Sequence, residues 1–213
     1  MAPTTKKVLI GVAAGAGAVV GVSLLWRSAS RRYALPCPWW LSGSIVNPVW
    51  QKAPPTLDRL ELEPGMRVLD VGCGPGRVAI PAAEAVGPEG EVVALDLQSH
   101  MLRKLEERAE QRGVTNIQTR EGDITRDMWE RAAFDRAILV TVLGEIPDRA
   151  AALRTILGAL KPGGILSVTE VLPDPHFQTR STVLRLAAAV GFRLRGEYGN
   201  WAAFTLNFER PAA

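Results

Sequence analysis

The sequence has few of the residues that build metal centres or disulfide frameworks. Among 213 residues there are two cysteines, Cys37 and Cys73, and two histidines, His100 and His176. Two well-separated cysteines provide no disulfide framework and no zinc-ligand spacing, and so few histidines disfavour a zinc site. We therefore expect no metal site and a reducing compartment.

Acidic residues are also missing, but only from one end of the chain. Residues 1–57 contain six of the 25 basic residues and none of the 22 acidic ones. The sequence pI of about 9.1 therefore reflects this segment, and the rest of the chain is net negative. A broad nucleic-acid surface on the globular part is disfavoured, so no nucleic-acid partner is expected.

Charge of either sign is absent from residues 8–26, a run of 19 mostly small apolar residues. As a helix the run would be roughly 28 Å long, close to the thickness of the hydrocarbon core of a bilayer. Basic residues flank both ends, so the sequence predicts an uncleaved membrane anchor over 1–30, with a cleaved signal peptide as the alternative. Glycines spaced four apart indicate either a homodimer through this helix or the ordinary prevalence of small residues in such spans.

Residues 31–56 form a second predicted region, in which three tryptophans and a tyrosine lie among five prolines. This composition is typical of a membrane–water interface or of a lid over an active site. A tether that packs on the domain through its indoles is the alternative. The third predicted region, 57–213, is the catalytic domain.

From residue 60 onward, short apolar runs alternate with helix-like segments. We predict strands over 66–71, 91–96, 116–121, 134–141, 165–170, 192–198 and 201–209, and helices over 76–86, 99–112, 148–160 and 182–190. Ser99 is the expected N-cap of the second helix, and Pro81 allows a kink in the first.

Repeated strand–helix units imply a parallel sheet covered by helices on both faces. Gly199 and Asn200, between the last two runs, indicate a hairpin. The predicted fold class is therefore α/β: a Rossmann-like, seven-stranded, mostly parallel sheet with an antiparallel terminal hairpin, plus an N-terminal transmembrane helix.

The most informative stretch is residues 68–76, Val-Leu-Asp-Val-Gly-Cys-Gly-Pro-Gly. An apolar strand ends there in glycines at alternate positions, which lets backbone approach a ligand at the carboxyl end of a strand. Asp96 ends the next strand, where a carboxylate accepts hydrogen bonds from both hydroxyls of a ribose. Capping of the helix at Ser99 is its alternative role. Because Arg77 stands where the nicotinamide fingerprint has its third glycine, a nicotinamide oxidoreductase is kept only as an alternative.

Five segments resemble, in order, the motifs of class I S-adenosylmethionine-dependent methyltransferases. They are 68–76, 93–96 (Val-Ala-Leu-Asp), 121–124 (Glu-Gly-Asp-Ile), 134–137 (Phe-Asp-Arg-Ala) and 160–164 (Leu-Lys-Pro-Gly-Gly). The resemblance covers about residues 57–210. It is strongest to the ubiquinone/menaquinone C-methyltransferase and small phospholipid N-methyltransferase type, and it implies S-adenosyl-L-methionine as cofactor.

The resemblance also implies which residues bind the cofactor. The glycine loop would face the methionine part, while Asp70, Asp96 and Asp123 would bind in turn the ammonium, the ribose and the adenine amino group. Leu97 and Met101 would enclose the adenine ring. The full expected set is Asp70, Gly72, Cys73, Gly74, Gly76, Asp96, Leu97, Met101, Asp123, Ile124 and Thr141.

In this family the acceptor side is built by the segments after the fourth and fifth strands, here 141–148 and 170–177. Their acid–base candidates are Glu145, Glu170 and His176, and we predict Glu145 and His176 as catalytic. The alternatives are helix capping for Glu145 and an ordinary turn histidine for His176.

The predicted function is a methyltransferase of a lipophilic or membrane-associated acceptor, either a phospholipid amine or a quinone-like ring. The segment after the fourth strand reads Val-Leu-Gly-Glu, not the Gly-Leu-Arg-Asn of the quinone enzymes that the chain resembles. A soluble thiol or phenol acceptor and a non-catalytic cofactor-binding scaffold are the alternatives. The predicted location is a membrane, through a single-pass N-terminal anchor with the catalytic domain in the cytoplasm.

Overall fold

The computed structural model describes residues 56–172 and 174–212. Within them a short 3-10 helix, Leu57–Arg59, precedes seven strands and four α-helices. In chain order these are β1 (Arg67–Val71), α1 (Ala79–Val86), β2 (Glu91–Asp96), α2 (Ser99–Gln111), β3 (Ile117–Glu121), β4 (Phe134–Val140), α3 (Arg149–Ala159), β5 (Leu160–Val171), α4 (Arg180–Val190), β6 (Arg193–Gly199) and β7 (Ala203–Glu209).

The strands form one sheet in the order β3-β2-β1-β4-β5-β7-β6. Strands β1 to β5 pair in parallel, whereas β7 pairs antiparallel with both β5 and β6. The predicted seven-stranded sheet with its terminal hairpin is therefore present. Strand order reverses between β1 and β4, and ligands of open α/β sheets bind outside the carboxyl ends of the strands at such a point.

Alternating side chains of the sheet build two cores. Leu69 and Val71 of β1 belong to the larger core, which includes buried residues of α3 and α4. Val68 belongs to the other core, which includes the buried residues of α1 and most of those of α2. Strands buried on both faces explain why β1, β2 and β4 are almost continuously apolar in sequence.

Two local predictions differ from the structure by a few residues. Helix α1 begins at Ala79, so Pro81 lies in the first turn, where its missing N–H has no partner to lose and no kink is needed. The N-cap of α2 is Gln98 rather than Ser99, and it makes no side-chain capping bond. The predicted capping role of Ser99 is therefore wrong.

None of the helices in residues 56–172 and 174–212 is long and apolar enough to cross a membrane. The longest has 13 residues, against the roughly 20 that a bilayer requires. This finding overturns the part of the fold prediction that added an N-terminal transmembrane helix, and with it the predicted single-pass membrane location. Residues 8–26, on which both predictions depended, lie outside the described residues, as do the region predicted over 1–30 and all but the last residue of the region predicted over 31–56.

The domain is already packed at residue 56. Thr56 is fully buried, and its hydroxyl lies 2.7 Å from that of Thr169 on β5, which in turn lies 2.9 Å from the hydroxyl of Thr205 on β7. Asn207 donates to the carbonyl of Arg59 at 2.7 Å. The chain therefore enters the domain across β5 and β7.

Candidate active site

The carboxyl ends of the parallel strands bring the sequence motifs to one edge of the sheet. The glycine loop follows β1, Asp96 ends β2, Asp123 follows β3, Thr141 follows β4 and Glu170 lies at the end of β5. Because β7 runs antiparallel to β5, the hairpin turn after β6 lies at this edge too. The motifs expected to bind the cofactor and those expected to bind the acceptor thus share one edge.

The glycine loop turns sharply and presents backbone to open space. The backbone φ angles of Gly72, Gly74 and Gly76 are +70°, +52° and +83°. Residues other than glycine rarely adopt this backbone conformation. The N–H groups of Gly72 and Cys73 both donate to the carbonyl of Leu95, at 2.7 and 3.0 Å. Apart from its chain neighbours, no atom of residues 56–172 and 174–212 lies within 4 Å of the position that a Cβ of Gly74 would take, so a ligand can approach the backbone there.

Asp96 holds the glycine loop in place. Its Oδ2 accepts from the N–H of Gly74 at 2.8 Å, and its Oδ1 accepts from the N–H of Gln98 at 2.9 Å. Each carboxylate oxygen keeps a second acceptor site, so both can still bind hydroxyl groups. Burial raises the pKa of Asp96, and the two backbone donors act against that rise. Sequence reasoning assigned Asp96 to a ribose and missed this contact with the loop.

The other two glycines of the loop are pressed against side chains. A Cβ on Gly72 would lie 2.5 Å from Cγ2 of Val142, which follows β4. A Cβ on Gly76 would lie 2.9 Å from Leu105 and 3.0 Å from Ile80, so Gly76 lets the loop pack closely on the helices. Gly76 therefore packs in the core and, unlike Gly74, leaves no room for a ligand beside its Cα.

Asp70 is buried beneath the loop. It is 2% exposed, and its Oδ2 accepts no hydrogen bond within the described part of the chain. Burial and the neighbouring Asp96 raise the pKa of Asp70 to about 7, while the Arg77 guanidinium and the N–H of Ala79 lower it. A buried carboxyl with an unmet acceptor atom suits a positively charged ligand group.

Cys73 points inward from the same loop. Its thiol is buried and its Sγ lies 3.6 Å from the carbonyl of Gly74. Burial and the charges of Asp70 and Asp96 raise the pKa of the thiol, so the reactive thiolate is disfavoured. This arrangement makes Cys73 a small loop residue.

The residues expected around an adenine ring differ in what they expose. Leu97 is 60% exposed, whereas Met101 and Ile124 are buried at 5% and 4%. Asp123 shapes the turn after β3, since its Oδ1 accepts from the N–H and the hydroxyl of Thr125, at 2.8 and 2.7 Å. The exposed apolar side chain of Leu97 is therefore the main surface offered to a flat ring.

The segment after β4 begins with a strained residue. Thr141 has φ of +57°, which is unusual for a β-branched side chain, and its N–H donates to the carbonyl of Thr169 at 2.8 Å. Such strain clusters at ligand sites. The conformation sets the direction of the following residue, Val142, whose side chain packs against Gly72.

The segments after β4 and β5 touch through their backbones. A Cβ on Gly144 would lie 1.8 Å from the carbonyl oxygen of His176. Arg149, at the start of α3, donates to the carbonyls of Leu143 and Gly144, at 3.1 and 3.0 Å. Sequence reasoning missed Arg149, because nothing in the primary sequence distinguishes an arginine that binds carbonyls from one on a surface.

The predicted catalytic residues lie in these touching segments. Glu145 does not cap α3, because the N-cap is Asp148, whose Oδ1 accepts from the N–H of Ala151 at 2.8 Å. His176 lies in a turn, but it is only 5% exposed. Its backbone N–H donates to Oδ1 of Asp174. Its position therefore differs from that of a surface histidine.

Glu170 is the most perturbed carboxyl at the acceptor edge. It is 1% exposed; its Oε2 accepts from the N–H of Gln178 at 3.0 Å, and its Oε1 is buried without a hydrogen bond within the described residues. Burial, with smaller contributions from Asp174 and Glu145, raises the pKa of Glu170 to about 8, and Arg149 acts in the opposite direction.

The two raised carboxyls predict an inverted pH dependence of stability. Folding raises the pKa of Asp70 to about 7 and that of Glu170 to about 8. Each group therefore contributes stability that is full below its pKa in the unfolded chain. This contribution is lost as the pH rises through its pKa in the folded protein. We expect urea unfolding of the cofactor-free protein to show a free energy that falls from about pH 5 to about pH 8.5, by at most ~1.4 kcal/mol per pH unit and group. Asp70→Asn and Glu170→Gln should each flatten the fall. If the free energy of unfolding fell with pH as steeply in both variants as in the wild type, the predicted role of these two carboxyls would be contradicted.

Comparison with known proteins identifies the family. The methyltransferase domain family matches residues 62–191, more than half of the chain. The chain therefore belongs to the methyltransferase domain family.

Curated relatives share about a third of the aligned residues. Nocamycin O-methyltransferase of Saccharothrix syringae is 35% identical over 122 residues, which are 57% of this chain and 44% of that protein. Demethylmenaquinone methyltransferase of Geobacillus kaustophilus is 36% identical over 122 residues, 57% of this chain and 52% of that protein. The match spans about half the length of these relatives.

Solved structures agree on the fold. A SAM-dependent methyltransferase from Aquifex aeolicus superposes with a TM-score of 0.69 at 19% identity, covering 86% of this chain and 97% of that one. At this identity the likeness concerns the fold alone.

Proposed function

We propose that the protein methylates an apolar acceptor that carries a phenol- or quinol-type ring. The observation that carries this proposal is the composition of the acceptor edge, where partly buried apolar side chains and one buried carboxyl lie in the same segments. Val142 and Phe177 are partly buried apolar residues of the two touching segments, and Glu170 supplies the carboxyl. A hydroxylated aromatic ring needs both, an apolar wall for its body and a base for its proton.

A phospholipid amine could bind an exposed aromatic ring through a cation–π contact, and the ring of Tyr198 beside the hairpin turn already has a cation against it, so we treat the amine as the less favoured acceptor. The guanidinium of Arg59 lies 4.9 Å from the centroid of the Tyr198 ring, in cation–π geometry. The same arginine donates to the hydroxyl of Thr205 at 3.2 Å, which fixes its position. A quaternary or protonated amine would have to displace it.

The name of one relative agrees with a quinone-type ring acceptor. Two of the relatives are named for demethylmenaquinone and for O-methylation of nocamycin. Because the chain spans only about half their length, the acceptor is inferred from the site first and from these names second.

The described residues fit the expected cofactor. Gly74 leaves open space for a close approach, and Asp70 offers a buried acceptor atom to a cationic group. We infer that Asp70 binds the ammonium, Asp96 the ribose and Asp123 the adenine amino group, with Leu97 against the ring. When bound, S-adenosylmethionine supplies an electrophilic methyl group on a sulfonium. The protein's part is then to align the acceptor, exclude water and remove a proton.

The proposal is tested with methyl-labelled S-adenosylmethionine and four acceptors. These are a 2-prenyl-1,4-naphthoquinol kept reduced, a simple alkylphenol, phosphatidylethanolamine in detergent, and an alkyl thiol. We expect label, and a gain of one CH₂ by mass spectrometry, in the quinol or the phenol. Label confined to the amine or the thiol, or label in none while the cofactor binds, would contradict the proposed acceptor class.

A further inference from the structure

Glu170 lies at the sheet edge at which the cofactor and acceptor motifs meet. It is the penultimate residue of β5, opposite Phe204 of β7 in the sheet register. The neighbouring strand end is joined to it through the hydrogen bond from Thr141 to Thr169. Glu170 is therefore next to the crevice at which β1 and β4 diverge.

The hydrogen bonds of Glu170 leave one oxygen uncommitted. Oε2 accepts from the backbone N–H of Gln178 at 3.0 Å, which fixes the carboxyl plane. Oε1 is buried and accepts no hydrogen bond from the residues that the structure describes. A buried acceptor without a donor costs free energy, so its presence in a packed site calls for a ligand donor.

Charged side chains lie around the carboxyl group of Glu170. Glu145 and Arg149 face Glu170 from the β4 side, and Asp174 faces it from the turn after β5, which also carries the buried His176. Of these groups the two carboxylates disfavour the charged form of Glu170, and the guanidinium favours it.

The segments and strands beside Glu170 pack closely against one another. Gly144 is in backbone contact with His176, and Arg180 at the start of α4 stacks on Phe204 at 5.3 Å. Glu145 is only half-buried, so it is hydrated and less suited to hold a proton away from water.

We propose that Glu170 is the catalytic base, and that its Oε1 takes the hydroxyl proton of the acceptor; this rests on the proposed function. The O–H bond breaks and its proton passes to the carboxylate. The electron pair released forms the bond to the methyl carbon, from oxygen or, through the ring, from carbon. On the carbon path the ring C–H bond at the methylated position then breaks, its proton leaves to water, and a proton returns to the oxygen, so that the ring is aromatic again. The carbon–sulfur bond breaks and its pair stays on sulfur, which becomes a neutral thioether. The proton then passes from Glu170 to water.

The first test compares Glu170→Gln with the wild type, on whichever acceptor the wild type methylates. The amide keeps the shape and still accepts from Gln178, but it cannot take a proton. We expect kcat to fall by about 10²- to 10⁴-fold, with little change in the acceptor KM or in the Kd for S-adenosylmethionine. In the wild type kcat/KM should rise with pH and level off above about pH 8, because the base must be ionised, and the variant should lose this rise. Glu107→Gln, at an exposed position of α2, is the matched control and should keep it.

A second readout needs no turnover. In the wild-type protein with ¹³C-labelled glutamate, the Glu170 carboxyl signal, assigned by its loss in Glu170→Gln, should titrate near pH 8. A midpoint at the ordinary value for glutamate, or a Glu170→Gln variant with wild-type kcat, would overturn the role of Glu170. Methylation of only the amine or the thiol would instead overturn the proposed acceptor class, so the two failures are distinguishable.

Discussion

Replacing Gly144 by alanine is expected to lower the free energy of unfolding by about 2–4 kcal/mol and the melting temperature by roughly 5–15 °C. The added Cβ would lie 1.8 Å from the carbonyl oxygen of His176 and 2.8 Å from its carbonyl carbon. Both are backbone atoms, so no flexible side chain can move aside. The segments after β4 and β5 must separate, which also strains the Arg149 bond to the carbonyl of Gly144.

Calorimetric and urea unfolding of Gly144→Ala measure this effect, and Gly158→Ala is its control. Gly158 lies in α3, and no atom lies within 4 Å of the Cβ position there. The same substitution should leave stability unchanged or raise it by about 0.5–1 kcal/mol, because alanine favours a helix. Equal stability of the two variants would mean that the segments are not in contact.

Replacing Asp96 by alanine is expected to weaken S-adenosylmethionine binding by about 1–3 kcal/mol, roughly 5- to 150-fold in Kd. The substitution removes the carboxylate proposed to hold the ribose. It also leaves the N–H groups of Gly74 and Gln98 without their acceptor, so the glycine loop loses its tie to β2.

Titration calorimetry with three variants separates these contributions. Asp96→Asn keeps one acceptor oxygen for Gly74 and should bind with intermediate affinity. Asp58→Ala, at an exposed position of the 3-10 helix, is the matched control and should bind as the wild type does. If Asp96→Ala bound S-adenosylmethionine with wild-type affinity, Asp96 would not be a cofactor-binding residue.

The fold of the domain was predictable because its signals are local. Apolar runs ending in glycine mark β1 and its loop, and the short turn at Gly199 and Asn200 marks the hairpin of β6 and β7. The transmembrane prediction depended on the length of an uncharged run and on its basic flanks, in residues outside those described, and the structure gives it no support.

The site was predictable as a set of motifs but not as a network of contacts. Spacing identified Asp96, yet the bond from Gly74 to its carboxylate depends on how β1 and β2 pair. Likewise the contact of Gly144 with His176 joins two segments more than 30 residues apart. Burial distinguishes Glu170 from Glu145, and burial at a strand end depends on the neighbouring strands, which sequence periodicity does not report.

The central claim is that the glycine bend after β1 and the carboxylate at the end of β2 together bind S-adenosylmethionine. Titration of the full-length protein with S-adenosylmethionine, and separately with NADH, tests it most directly. The account predicts saturable binding of S-adenosylmethionine that Asp96→Ala weakens, and no binding of NADH. Binding of NADH with none of S-adenosylmethionine would contradict it.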